Sequence, residues 1–306
     1  MQAYIGITDW DWYALLSGLP NLEEVNFWQP SGNQQFKVLR PGEMFLFKLH
    51  SPNDYIVGGG FFAYSTILPV SLAWETFGIA NGAGSYDQMR TRIEKYRRQI
   101  ENRLVDYSIG CILIEQPFFF EKANWIPAPY DWNRNIVRGK SYDLMIEPGF
   151  SLWNRIQSSM AVQSMPNEVR EESPRYGEPI LVQPRLGQAS FRILVTDAYE
   201  RKCAITNERT LPALDVAHIK PYSKSGQNVI SNGLLLRKDL HALFDKGYIT
   251  IAPSMEIEVS RKIKEEFENG RDYYHFQGNK IRMPRDINDR PSSVFLEWHN
   301  NNVYLG

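Results

Sequence analysis

The chain has 306 residues, 43% hydrophobic and 13% aromatic, enough to bury a sizeable core and to divide into two domains. Lysine and arginine number 34 against 35 acidic residues, a net charge of −1, so bulk electrostatics do not announce a nucleic-acid partner. The opening MQAYIGITDWDW lacks a basic start and an apolar run, and no stretch of 18 apolar residues occurs, so a cytoplasmic protein without signal peptide or membrane span is expected.

Up to about residue 150 the pattern favours short strands: YIGIT (4–8), EMFLFKLH (43–50), YIVGGGFFAYS (55–65) and GCILIEQPFFF (110–120), broken by Pro-Gly, Asn and Gly clusters. The GGG at 58–60 lacks a following GK[ST], so it reads as a bulge or a close backbone approach, not as a phosphate loop. Between these strands, residues 86–104 space Met89, Ile93, Tyr96 and Ile100 as one face of an amphipathic helix. Residues 154–184 turn polar and read as a linker. LGQASFRILVTDAYERKC (186–203) then predicts a helix leading into the second domain. Cys111 and Cys203 form no CxxC pair, so no structural zinc is expected and both thiols read as reduced.

The second domain carries the most specific signal. Leu214, Val216 and Ile219 form a short apolar run around Asp215 and His218, closed by Lys220-Pro221. SKSGQN is rich in turn formers, and Leu234-Leu235-Leu236 resumes an apolar run that pairs back on the first. From Arg237 onward, Leu240, Leu243 and Phe244 fall at helical spacing, ending in Lys246-Gly247. The layout is strand, loop, strand, helix. It places His218 at a strand exit, Asn232 14 residues later, and His241 23 residues later on the helix. A neutral imidazole near pH 7 takes a proton from water, and a divalent ion stabilises charge on a scissile phosphate.

That order, with AHIKPYS and NGLLLRKDLHALFDKG around it, resembles the His-Asn-His (HNH) nucleases of the ββα-metal class. The resemblance implies His218 as general base, Asn232 as the residue that braces the loop and orients the base, and His241 as a metal ligand. The three are expected to converge around one cation. Many HNH nucleases carry Asp or His immediately before the base, where this chain has Ala217. Asp215 shares the face of Ala217 by strand alternation and is the replacement ligand. One carboxylate and one imidazole suit a hard ion that keeps several waters, Mg2+ or Mn2+. Residues 201–240 hold seven basic against three acidic side chains, and Lys220, Lys224, Arg237 and Lys238 are the candidate phosphate contacts. His50, His275 and His299 read as surface or satisfied core residues.

YIGITDWDWYALLSG, VNFWQPSGNQQFKVLRPGEMFLFKL and YIVGGGFF resemble a PUA-like barrel of the EVE type, with RPGEMFLFKL and IVGGGFF as neighbouring strands. Ahead of an HNH nuclease, such a domain is similar to the readers of modified cytosine in modification-dependent restriction enzymes. A reader of this kind extrudes the base, stacks it between rings and tests its edge. Trp10, Trp12, Phe27 and Trp28 supply ring faces, with Trp10 and Trp28 foremost, and Asp11 or Asn26 supplies the edge contact. Trp12, three and four residues before Leu15 and Leu16, alternatively faces the core of a helix.

The expectation is an α+β protein: a PUA-like β-barrel with flanking helices reading a modified base over 1–153, a linker over 154–184 and an HNH nuclease over 185–306. Its partner is double-stranded DNA carrying 5-methylcytosine or 5-hydroxymethylcytosine. Two alternatives stay open, a restriction or homing endonuclease reading an unmodified sequence and a non-cleaving binder of modified nucleic acid. A double-strand break calls for two sites or two visits, which leaves a homodimer open. Whether residues 261–306 contact DNA or pack under the nuclease is also open.

Overall fold

The computed structural model describes residues 1–97, 105–164 and 186–306 and divides into two compact units, Met1–Arg185 and Leu186–Gly306. Both mix helix and sheet, as the α+β expectation holds. Among the described residues, no helix is long and apolar enough to cross a membrane.

The first unit is built on one mixed sheet. Its strands are β1 (Gln2–Thr8), β2 (Glu24–Gln29), β3 (Met44–Leu49), β4 (Tyr55–Pro69), β5 (Ser108–Phe119), β6 (Ile126–Pro127) and β7 (Gly139–Asp143). They run in the order β2-β5-β4-β3-β1-β7, with β6 beside β4. β1 and β3 are parallel and the other pairs antiparallel. Alternation along β3 explains why both faces are covered: Phe45, Phe47 and Leu49 enter one apolar layer, and Met44 and Leu46 the opposite one. α1 (Trp10–Ser17) closes the first layer with Trp12, whose ring packs edge-on to Phe47 at 5.0 Å. Pairs of this kind contribute roughly 0.5–1.5 kcal/mol beyond their burial.

RPGEMFLFKL and IVGGGFF lie on neighbouring strands as expected, with Met44 opposite Phe61 and Phe47 opposite Gly58. The three glycines permit close backbone approach. A Cβ at Gly58 would stand 2.2 Å from the Phe118 carbonyl oxygen, and the β4–β5 register slips between Gly59 and Phe61.

α2 (Val70–Phe77) and α3 (Tyr86–Lys95) follow β4. Met89 and Ile93 are buried, but Tyr96, expected on the same face, is 40% exposed at the helix end, and Ile100 lies outside the described residues. α4 (Gly149–Ser164) runs into the segment read as linker. Leu152, Ile156 and Met160 recur every four residues and pack on the second apolar layer, so burial holds the segment helical despite its polar composition. The rest of the expected linker, 165–184, lies outside the described residues.

The second unit begins with α5 (Gln188–Ala198), followed by a hairpin of β8 (Leu214–His218) and β9 (Gly233–Arg237), then α6 (Lys238–Asp245). A second hairpin, β10 (Ile249–Ile251) and β11 (Ile257–Val259), precedes α7 (Lys262–Phe267), α8 (Arg271–Tyr274) and α9 (Ser293–Asn302). Phe191, Val195, Leu234, Leu240 and Phe244 bring α5, the first hairpin and α6 into one core.

α9 fixes the far end of α6 through His299. This side chain is 2% exposed, and its ring stacks on Phe244 with centroids 3.8 Å apart. Nε2 donates to the Phe244 carbonyl oxygen at 3.1 Å, so Nδ1 accepts from the Thr250 hydroxyl at 2.8 Å. Burial pushes the imidazole down to about 4 and outweighs the Phe244 carbonyl and Asp245, which favour its charged form. The folded protein therefore keeps His299 neutral where an unfolded chain protonates it. Its contribution is present above pH 6.5 and is lost as pH falls toward 4, roughly 3 kcal/mol at most. In denaturant unfolding from pH 7 to 4, His299→Asn should lose less stability across that window than the wild type.

Candidate active site

β8 and β9 pair antiparallel with Leu214 opposite Arg237 and His218 opposite Gly233, so the loop between them starts and ends at the strand exit. Asn232 is fully buried there. Its Nδ2 donates to the carbonyl oxygens of Lys220 and Gln227, and its Oδ1 accepts from the Lys220 backbone N–H, each at 2.9 Å. Gly226 closes the same loop, where a Cβ would fall 1.9 Å from the Lys220 carbonyl oxygen.

His218 stands at the end of β8 with its ring stacked on Phe191 of α5, centroids 4.1 Å apart. Its Nε2 lies 2.9 Å from Asn228 Oδ1. Asn228 Nδ2 donates to the Leu186 carbonyl oxygen, which fixes the amide so that its oxygen faces the ring. Nε2 therefore carries the proton, and Nδ1 keeps its lone pair.

Alternation puts Asp215 and Ala217 on the other face of β8. Asp215 Oδ2 lies 3.4 Å from His241 Nδ1 on α6, and its Oδ1 lies 2.8 Å from the Arg192 guanidinium on α5. Asp245, one helical turn beyond His241, reaches Nε2 at 3.3 Å. Burial disfavours the charged His241, but the hydrogen bonds to Asp215 and Asp245 outweigh it and push the imidazole up to about 9. Burial likewise opposes charge on Asp215. The His241 hydrogen bond and Arg192 overcome it, holding that carboxyl below the ordinary carboxylate range.

The expected residues thus meet in two groups, one at the exit of β8 and one between β8 and α6. Asp215 joins His241, whereas the ring partners of His218 among the described residues are Asn228 and Phe191. Asn232 grips the loop backbone beside His218 instead of touching its ring.

The first unit holds a cavity of about 740 Å3 at the ends of β1 and β2. Trp12 and Trp28 line it, as do Phe27, Asp9, His50 and Tyr96. Three of the expected pocket residues lie elsewhere. Trp10 is half exposed and packs against Tyr13 and Trp125. Asp11 points to solvent 3.9 Å from Arg92, because it follows the helix surface. Asn26 is fully buried and donates to Asn81 Oδ1 at 2.8 Å, serving the packing of β2.

Residues 203–252 match the family model described as HNH endonuclease. This segment is an HNH endonuclease domain. No curated protein matches the chain. Among solved structures, the chain is similar to an ASCH protein from Zymomonas mobilis, 7% identical over 51% of this chain and 94% of that one, with a TM-score of 0.33. It is also similar to the modification-dependent TagI restriction endonuclease, 11% identical over 85% of this chain, with a TM-score of 0.27. The chain spans 61% of the TagI structure's length.

HNH nucleases act with a divalent metal ion. Among the described residues, no group of three or more His, Cys, Asp or Glu side chains forms a complete metal site. Asp215 and His241 nonetheless offer one oxygen and one nitrogen donor converging at 3.4 Å. That pair fits an ion completed by water and phosphate oxygens. Of the candidate phosphate contacts, Lys224 and Lys238 are exposed, and the Lys220 ammonium lies over the Trp298 ring, 5.6 Å from its centroid. Arg237 is instead held by Asp239 through two 2.7 Å hydrogen bonds, since the two residues flank the first turn of α6.

Sequence reasoning missed Asp245, Asn228 and Arg192 here and Asp9, His50 and Tyr96 in the cavity. Only Asp245 carried a local signal, its four-residue spacing from His241 on one helix.

Asn232→Ala would strip three backbone groups of their partners inside the loop. Leaving buried polar groups unpaired costs about 1–3 kcal/mol each, and loop relaxation recovers part of it. Denaturant unfolding should report a loss of about 2 kcal/mol or more.

Proposed function

We propose that this chain is a modification-dependent restriction endonuclease. The first unit reads 5-methylcytosine or 5-hydroxymethylcytosine in double-stranded DNA, and the HNH domain hydrolyses a phosphodiester with one Mg2+ or Mn2+ ion. The observation that carries the reading is the pair of His218 groups: one ring nitrogen tied to Asn228, the other left with its lone pair at the strand exit.

In this mechanism His218 Nδ1 takes the proton from the attacking water while Nε2–H stays on Asn228 Oδ1, and the growing positive charge strengthens that hydrogen bond. Phe191 keeps the ring from turning. Asp215 and His241 would hold the ion, which when bound would supply a Lewis acid at the phosphate. Arg192 keeps Asp215 ionised and aimed. Lys224 and Lys238 meet flanking phosphates. In the first unit, the half-buried Trp28 offers a ring face to an extruded base, and a 740 Å3 cavity lies in the range that encloses small ligands.

Cleavage of matched plasmids with and without modified cytosine, in Mg2+ and in Mn2+, tests the reading. Cutting of the modified plasmid alone is expected, with His218→Ala binding DNA but lowering the rate by a factor of 100 or more, on the order of a lost general base. Equal cutting of both plasmids would leave an endonuclease that reads an unmodified sequence. Binding without cutting in either metal would leave a non-cleaving reader.

Asn228→Ala frees the ring to exchange tautomers. A fall in kcat on the order of tenfold with DNA binding unchanged is expected, whereas a purely structural Asn228 would lower stability and leave the kcat of the folded protein in place.

A further inference from the structure

Asp9 occupies the N-cap position of α1, where an aspartate ordinarily accepts a hydrogen bond from the first backbone N–H groups of the helix. Here it makes no such bond. Its carboxylate turns to the cavity, where it accepts from the Tyr96 hydroxyl at 2.5 Å and lies 3.7 Å from His50 Nε2. A residue that breaks a local rule in this way is a candidate for function. Among the described residues lining the cavity, Asp9 is the only carboxylate.

The chemistry of the base makes an acceptor necessary. Every thymine in DNA already carries a 5-methyl group, so a pocket that tests only the 5-position cannot tell 5-methylcytosine from thymine. The two differ at the 4-position, an amine against a carbonyl, and at ring N3, an acceptor against a donor. A carboxylate accepts from the cytosine amine. Against a 4-carbonyl it faces another acceptor, and a burial-enforced clash of two acceptors discriminates more strongly than a missing contact. His50 and Arg138, which line the same cavity, are donors suited to N3 and O2 of cytosine.

We infer that Asp9, held by Tyr96 and flanked by His50, is the residue by which the cavity selects a 4-amino pyrimidine and rejects thymine. This inference rests on the proposed reader role of the first unit.

The test is equilibrium binding of the full chain in EDTA, which prevents cleavage, to duplexes identical except at one position: 5-methylcytosine, cytosine or thymine, each opposite guanine. The T·G mismatch is the easier base to extrude, so a preference for 5-methylcytosine over it comes from the edge and not from ease of flipping. The wild type should prefer 5-methylcytosine to both by tenfold or more. Asp9→Asn, whose amide presents either a donor or an acceptor, should bring the ratio of 5-methylcytosine to thymine near one. Tyr96→Phe, which keeps the carboxylate but removes its hydroxyl partner, should lower that ratio by a smaller factor and decides the matter if Asp9→Asn does not fold.

A wild type that prefers 5-methylcytosine to cytosine but binds the T·G duplex equally well overturns the role of Asp9 and leaves the reader standing. So does an unchanged ratio in the variants. A wild type indifferent to the methyl group overturns the reader itself. Tighter binding to an N6-methyladenine duplex than to 5-methylcytosine would overturn the choice of pyrimidine.

Discussion

The amide of Asn232 decides where the loop after β8 runs. With no exposed surface, it ties the backbone at Lys220 to that at Gln227, the two ends of a turn that a tight glycine closes. Asn228 follows Gln227 directly, so the clamp delivers its side-chain oxygen to His218, and the tautomer of that imidazole follows from the delivery. A free imidazole exchanges its proton between two nitrogens. One buried amide, acting through the loop backbone, removes that choice without touching the ring.

The charged group on the opposite face of β8 works by balance. His241 alone in a half-buried position would lose its proton readily. Two carboxylates hold that proton in place, and Arg192 offsets the surplus negative charge on Asp215. An imidazole flanked by Asp215 and Asp245 is a place where positive charge is already stabilised. In the proposed one-metal reading a divalent ion would answer the same electrostatic demand without a ligand at Ala217.

The nuclease hairpin was legible because its chemistry is local. Strand, turn, strand and helix lie within 214–245, and periods of 2 and 3.6 place each side chain on a face before any tertiary contact is known. The convergence of His218, Asn232 and His241 was less legible, because spacing fixes faces but not which atoms meet. Asn228 sits in an irregular turn, where no period applies. The cavity was illegible for a further reason: Asp9, Trp28, His50 and Tyr96 come from four separate segments that only the sheet order brings together. Aromatic density near the first strand falls at the end of the sheet where the cavity lies. It did not distinguish Trp12 from Trp10, two residues apart on one helix and facing opposite environments.

Counting charges along the sequence overstates what a phosphate backbone would meet. The segment 201–240 carries an excess of basic residues, yet Arg237 is bound in a bidentate pair with Asp239, and Arg201 Nε donates to Asp197 at 2.9 Å. A guanidinium already matched to a carboxylate gains little from a phosphate, because the exchange breaks two charge-assisted hydrogen bonds to make two. Lysines differ. The ammonium groups of Lys224 and Lys238 are exposed, and a hydrated point charge meets a phosphate without giving up a structural partner. Arg201 and Arg237 therefore serve the scaffold, whereas Lys224 and Lys238 keep their ammonium groups in solvent. A net charge of −1 for the whole chain therefore says little about the charge that any one segment leaves exposed.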